Sequence, residues 1–185
     1  MRRRRKRTGV FLLVIGIVVV LLASAAFAVT RVIQSVTPSC TATVGSETFR
    51  IDQEQADNAR TIAQVASQVG MPHHAVTIAL AAALQESKLH NLSHGDRDSL
   101  GLFQQRPSQG WGTPSQLTNP SYAATAFFRE LAKVDGWTAM SVTDAAQNVQ
   151  RSAIPDAYAK WESEARVLAR ILTGEVPNRI VCHSS

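Results

Sequence analysis

The stretch Val76–Leu84 constrains this chain more than any other. Val76, Ile78, Ala79, Leu80, Ala81, Ala82, Ala83 and Leu84 follow Pro72, with only Thr77 inside the run. At helical pitch these side chains point in every direction, so other elements must wrap the helix. It therefore forms the centre of a helical domain. The run ends in Gln85-Glu86-Ser87. A carboxylic acid at that point sits at the negative end of the helix dipole, where a cation is favoured. Such breaches of local physics concentrate at functional sites.

The wrapping helices are legible as apolar stripes. Ala56, Ala59, Ile62, Ala63, Ala66 and Val69 predict a helix over 53–69, closed by Gly70. Pro72 suits the first turn of the central helix. Asn119-Pro120 reads as a cap and first-turn proline for a third helix, with Tyr122, Ala123, Ala126, Phe127, Leu131 and Val134 facing inward. A fourth covers about 143–150, with Thr143 as a cap. A fifth starts at Pro155 and runs to about Leu172 on a stripe of Ala157, Trp161, Ala165, Leu168 and Leu172. Residues 30–52 read as a linker with a short extended piece. Residues 88–118, rich in Gly and Pro, read as a long loop with short strands or turns around Leu100–Gln105. The expected fold class is mainly α, within α+β: a helical domain over 53–185 with a small loop and strand region.

The basic residues are unevenly placed. Six of the 19 Lys and Arg residues fall in Arg2–Arg7, leaving 13 against 14 acidic residues elsewhere. The net charge of +5 is thus a terminal tag, which argues against a nucleic-acid-binding face. The uncharged run Val10–Val29 is long enough to cross a bilayer, with the cationic flank inside. The expected layout is a cytoplasmic tail over 1–8, a single-pass membrane anchor over 9–29 and an extracellular domain. Ala26-Phe27-Ala28 also fits a signal-peptidase site, and cleavage after Ala28 would release a secreted protein. Both readings export the domain.

Cys40 and Cys182 bracket the domain. In an oxidising compartment they are expected to form one disulfide; the alternative is two free thiols. Neither is placed as a nucleophile.

Glycosidic cleavage needs an acid that keeps its proton near neutral pH. Burial and the helix end both favour the protonated form of Glu86. Ser99-Leu100-Gly101-Leu102-Phe103-Gln104 follows about a dozen residues later and offers a Gly-containing loop with a polar amide. Glu86-Ser87 followed by Gly101-Leu102-Phe103-Gln104 resembles the Glu-Ser and Gly-Leu-Met-Gln pattern of bacterial soluble lytic transglycosylases and goose-type lysozymes. The resemblance spans about 73–172. It implies the lysozyme-like fold and cleavage of the bond between MurNAc and GlcNAc in peptidoglycan. It further implies Glu86 as catalytic acid and base, and Ser87 as support for the helix end. Gly101 and Leu102 would bring backbone to the sugar, Gln104 would hydrogen-bond it, and Tyr158 would stand near the acid. Phe103 replaces the usual Met, Gln105–Gly112 departs from the family's stretch, and Ala146-Gln147-Asn148-Val149-Gln150 stands where Ala-Tyr-Asn-Ala-Gly is usual.

A lytic transglycosylase needs one Glu, because the sugar's own hydroxyl closes a 1,6-anhydro ring. A hydrolytic muramidase would add a second carboxylate, for which Asp96 and Asp98 are the candidates. A third reading keeps the fold for peptidoglycan binding without chemistry. Trp111 and Trp137 are candidates for stacking on sugar faces, whereas Trp161 reads as core. His90 and His94 have helical spacing for a metal pair, but the segment is a poor helix and no third ligand is fixed. His73-His74 reads as surface. No metal or cofactor is expected. The expected partners are glycan strands and, through the N-terminal helix, the membrane.

Overall fold

A computed structural model of the protein describes residues 39–152, 154, 156–177 and 180–183. The basic tail and the apolar run at 10–29 lie outside the described residues. Among the described residues, no helix is long and apolar enough to cross a membrane. The unit considered below is Ser39–His183.

The stretch read as a linker is not one beyond Pro38. Ser39–Val44 (β1) and Glu47–Asp52 (β2) form an antiparallel hairpin in which Cys40 faces Ile51 and Ala42 faces Phe49. The turn is two residues long and places Gly45 at φ 61°, a conformation that glycine adopts cheaply. Thr, Val and Ile supply the strands, and the alternating burial of Cys40 and Ala42 seats one face on the core. The folded unit thus begins at Ser39, fourteen residues before the expected boundary at Gln53.

Helix α1 (Gln53–Gln68) follows directly from a capping box. Asp52 accepts from the Gln55 N–H at 2.9 Å, and the Gln55 side chain returns the bond to Asp52 N at 2.7 Å. Helix α2 (His73–Ser87) is the all-apolar helix. Every residue from Ala75 to Leu84 is buried. Helices α1, α4 (Pro120–Leu131), α5 (Val142–Gln150) and α6 (Glu162–Leu172) all pack on it. Between α2 and α4 lie the 3-10 turn Pro107–Gln109 and the short helix α3 (Pro114–Leu117), started by a Thr113–Gln116 capping box.

Two helix starts differ from the sequence expectation. Ser141, not Thr143, caps α5 by accepting from Asp144 N. The fifth helix does not run from Pro155. Asp156 takes φ 59°, which breaks any right-handed helix, and a 3-10 turn at Ala159–Trp161 leads into α6 at Glu162. The core face of α4 is wider than the stripe, with Ala124 and Phe128 also buried and Tyr122 only partly so.

Strand β3 (Ile180–His183) closes the sheet in the order β2-β1-β3. It pairs antiparallel with β1 and puts Cys182 opposite Cys40. The two cysteines form a disulfide that ties the first strand to the last. The architecture is mainly helical with one small sheet, an α+β arrangement.

Candidate active site

The end of α2 is built by two successive left-handed residues, Lys88 at φ 57° and Leu89 at φ 62°. Their N–H groups bond back to Leu84 O (3.1 Å) and Ala83 O (3.2 Å), which satisfies the last carbonyls of the helix. Side chains of α1 hold the reversal. Asn58 donates to Leu89 O at 2.7 Å and Gln55 to Lys88 O at 2.8 Å. The geometry fixes the preceding turn, and with it Glu86.

Glu86 is half-buried. Burial pushes its carboxyl above the ordinary value, while a hydrogen bond from Tyr158 and the nearby Lys88 cation act in the other direction. The Tyr158 hydroxyl donates to Glu86 Oε1 at 2.9 Å. Tyr158 is fully buried. Burial first, and the adjacent carboxyl second, hold its phenol well above the ordinary tyrosine range, so it stays a neutral donor. On the neighbouring residue, Gln85 Oε1 accepts from Trp161 Nε1 at 2.9 Å, and Lys88 Nζ stands 3.9 Å from the centre of the Trp161 ring. Trp161 is therefore half-buried at the helix end and not a plain core residue.

Ser87 joins this end to the Gly-containing loop. Its hydroxyl donates to Leu102 O at 2.8 Å and lies 3.1 Å from Ala83 O. The loop is a tight reversal in which Leu100 and Gln105 exchange backbone hydrogen bonds, both 3.0 Å. Gly101 takes φ 74°, and a Cβ there would meet Leu117 O at 2.0 Å, so only glycine fits. Leu102 turns its side chain into the core, leaving only its backbone toward the site. Phe103 stacks on Phe127 at 4.7 Å. Gln104 folds back: its amide nitrogen lies 3.2 Å from Gly101 O and 3.4 Å from His94 O. Its hydrogen bonds among the described residues therefore hold the loop.

Three contributors escaped the sequence reading. Gln150 donates to Phe103 O at 3.0 Å, so Ser87 and Gln150 grip two successive loop carbonyls. Gln147, from the same stretch of α5, donates to Ser152 O. Gln105 is buried and donates to Ala123 O at 3.2 Å. The signal was present in the polar amides of α5 and after the Gly-Leu-Phe turn, but nothing local says which backbone they reach.

The remaining candidates are engaged by other partners or by solvent. Asp98 is clamped by Arg106 Nε at 2.6 Å and Ser108 N at 2.8 Å. Hydrogen bonds from the Ser108 hydroxyl and N–H, then from Arg106, hold it far below the usual carboxylate range. Asp96 has a 93% exposed side chain beside Arg97. His90 lies 3.0 Å from Glu54 Oε2 and 3.5 Å from Asp52 Oδ2. His73 approaches Glu175 at 3.2 Å. Among the described residues, no group of three or more His, Cys, Asp or Glu side chains is placed to hold a metal ion. Trp137 stacks on His74 at the first turn of α2. Twelve residues of helix, at about 1.5 Å each, separate that turn from Glu86. Trp111 packs against the core and gives its carbonyl to the Tyr122 hydroxyl at 3.3 Å.

The structure thus gathers Glu86, Ser87, Tyr158 and the backbone of Leu102. The assembly holds a carboxyl that favours its proton, a neutral donor that steadies the carboxylate once formed, and a rigid backbone wall beside both. It is equipped to give a proton and take one back. No protein-family model and no curated protein matches the chain.

Proposed function

We propose that this protein is a lysozyme-like enzyme that cleaves peptidoglycan glycan strands between MurNAc and GlcNAc, by lytic transglycosylation through the single acid Glu86. The observation that carries the reading is the Tyr158–Glu86 hydrogen bond at a half-buried carboxyl on the end of α2. Protonated Glu86 donates to the glycosidic oxygen as the C1–O bond breaks and an oxocarbenium-like sugar develops. The resulting carboxylate, stabilised by Tyr158, then takes the proton from the sugar's C6 hydroxyl as that oxygen closes on C1. One carboxyl serves both steps.

Two observations favour this course over a hydrolase with a second carboxylate. Asp98 is committed to Arg106 and Ser108, and Asp96 points into solvent. The Cys40–Cys182 disulfide supports an oxidising setting outside the cytoplasm, in keeping with an anchor or signal at 10–29.

The test is product analysis on purified peptidoglycan. Wild type should release fragments with 1,6-anhydro-muramyl ends, and Glu86→Gln should release none while keeping its melting transition. Reducing ends would replace transglycosylation by hydrolysis. No release from any peptidoglycan by wild type would leave a binding protein. Intact mass of the mature chain reports the anchor: a start at Val29 means a cleaved signal.

A further inference from the structure

We infer that a cavity beside the Glu86 site binds a carboxylate-bearing peptide branch of the glycan substrate, an inference that rests on the glycan-cleaving reading above. The cavity has a volume of about 510 Å³, within the usual range for small-ligand sites. Its walls include Trp111, Arg129, Lys133, Val149, Gln150 and Arg151.

The charges are unbalanced. Arg129, Lys133 and Arg151 face a single carboxylate, Glu130, which leaves a net of +2 on the lining. Glu130 is already shared by Lys133 at 2.8 Å and Arg129 at 3.3 Å. Arg151 makes no ion pair among the described residues. It also holds φ 52° as the C-cap of α5, a left-handed position that glycine takes at lower cost. A helix end favours a cation, but that accounts for neither the other two cations nor the indole wall.

The cavity and the acid share structural parts. Gln150 lines the cavity and grips Phe103 O in the loop whose next carbonyl is held by Ser87. Arg151 is followed by Ser152, whose side chain reaches the Tyr158 hydroxyl that bonds Glu86. On this inference, a strand seated on Glu86 carries a substituent to this cavity. Guanidinium groups grip carboxylates through two parallel hydrogen bonds. Trp111, Val134 and Val149 add an apolar wall suited to methyl-bearing side chains, which a polyol-phosphate branch lacks.

Binding, not turnover, tests this, so that the site and the chemistry can fail separately. The full chain carrying Glu86→Gln is titrated with a soluble muramyl peptide, with the same compound amidated at its carboxylates, and with a peptide-free glycan bearing a phosphate polymer. The free-acid peptide should bind roughly 10- to 100-fold more tightly than the amide. Adding Arg151→Gly, whose backbone suits the left-handed cap, should erase that preference without lowering the melting temperature. Arg129→Gln should weaken the acid form alone. Equal binding of acid and amide, binding of neither, or preference for the phosphate polymer would each overturn the inference. Cleavage by wild type, read separately, bears only on the proposed activity.

Discussion

Removing the Tyr158 hydroxyl isolates what that residue does for Glu86. Tyr158→Phe keeps the buried ring and deletes one hydrogen bond, the 2.9 Å contact to Glu86 Oε1. A bond to a charged acceptor is worth about 1.5–3 kcal/mol. That bond favours the carboxylate, so it opposes the upward push of burial on Glu86. Two consequences follow with definite signs. In the proposed mechanism, the step in which Glu86 loses its proton creates the carboxylate without its donor, so turnover should fall roughly 10- to 100-fold. Glu86 should also hold its proton to higher pH, so the basic limb of the pH–rate profile should move upward.

The assay is release of soluble fragments from peptidoglycan across pH 4–9, with wild type, Tyr158→Phe, Glu86→Gln and the double variant. The proposed mechanism has both residues act on one proton, so Tyr158→Phe should cost nothing further once Glu86 is Gln. Global stability should drop by no more than about 0.5–1.5 kcal/mol, since packing is retained. A limb that stays in place, or moves downward, would refute the assignment of Tyr158 as the donor that stabilises the carboxylate. A loss of rate matched by loss of fold would reduce Tyr158 to a packing role.

Glu86→Gln makes a separate prediction about stability. A carboxyl whose folded value is raised contributes stability fully below its ordinary value of 4.5 and loses it as pH rises through the folded value. The variant should therefore match wild type near pH 4 and gain on it toward pH 8; melting curves in which the offset is the same at both ends refute burial as the dominant cause. Ser87→Ala strips the 2.8 Å donor from the buried Leu102 carbonyl and should cost about 1–3 kcal/mol in urea denaturation; no change would mean that the loop is not held by this bond. Replacing both Cys40 and Cys182 by Ala opens a link with a sequence separation of 142, which the chain-entropy treatment values at about 5 kcal/mol. Denaturant midpoints of the double variant measure it, and an unchanged midpoint would show that the sheet pairing alone secures the termini.

The central helix was legible because its evidence is local: ten successive residues from Ala75 to Leu84 are buried, and no surface helix carries such a run. Glu86 stood out for the same reason, as an acid where the backbone dipole wants a cation. Of the hairpin at Ser39–Asp52 only a short extended piece was legible, because its short strands acquire their partner β3 from the far end of the chain. Cysteine count did signal that closure, though not the register. The start of the last helix was missed through one residue: Asp156 adopts a left-handed conformation that no periodicity reveals. The amides of Gln105, Gln147 and Gln150 were silent for a different reason. An amide can donate to any carbonyl in reach, and reach is settled by tertiary packing.

The negative end of α2 does receive its cation, two residues after Glu86. Lys88 Nζ lies 3.3 Å from Leu84 O and over the Trp161 ring, while its backbone closes the helix. Neutralising the helix terminus is thus the task of Lys88, and Glu86 is released from it. What acts on the acid is burial in one direction and Tyr158 and Lys88 in the other. Burial is fixed by the core around α2, whereas Tyr158 arrives on the turn before α6. Proton affinity and carboxylate stabilisation are therefore supplied by different parts of the chain. Each can vary while the helix that carries the acid stays intact.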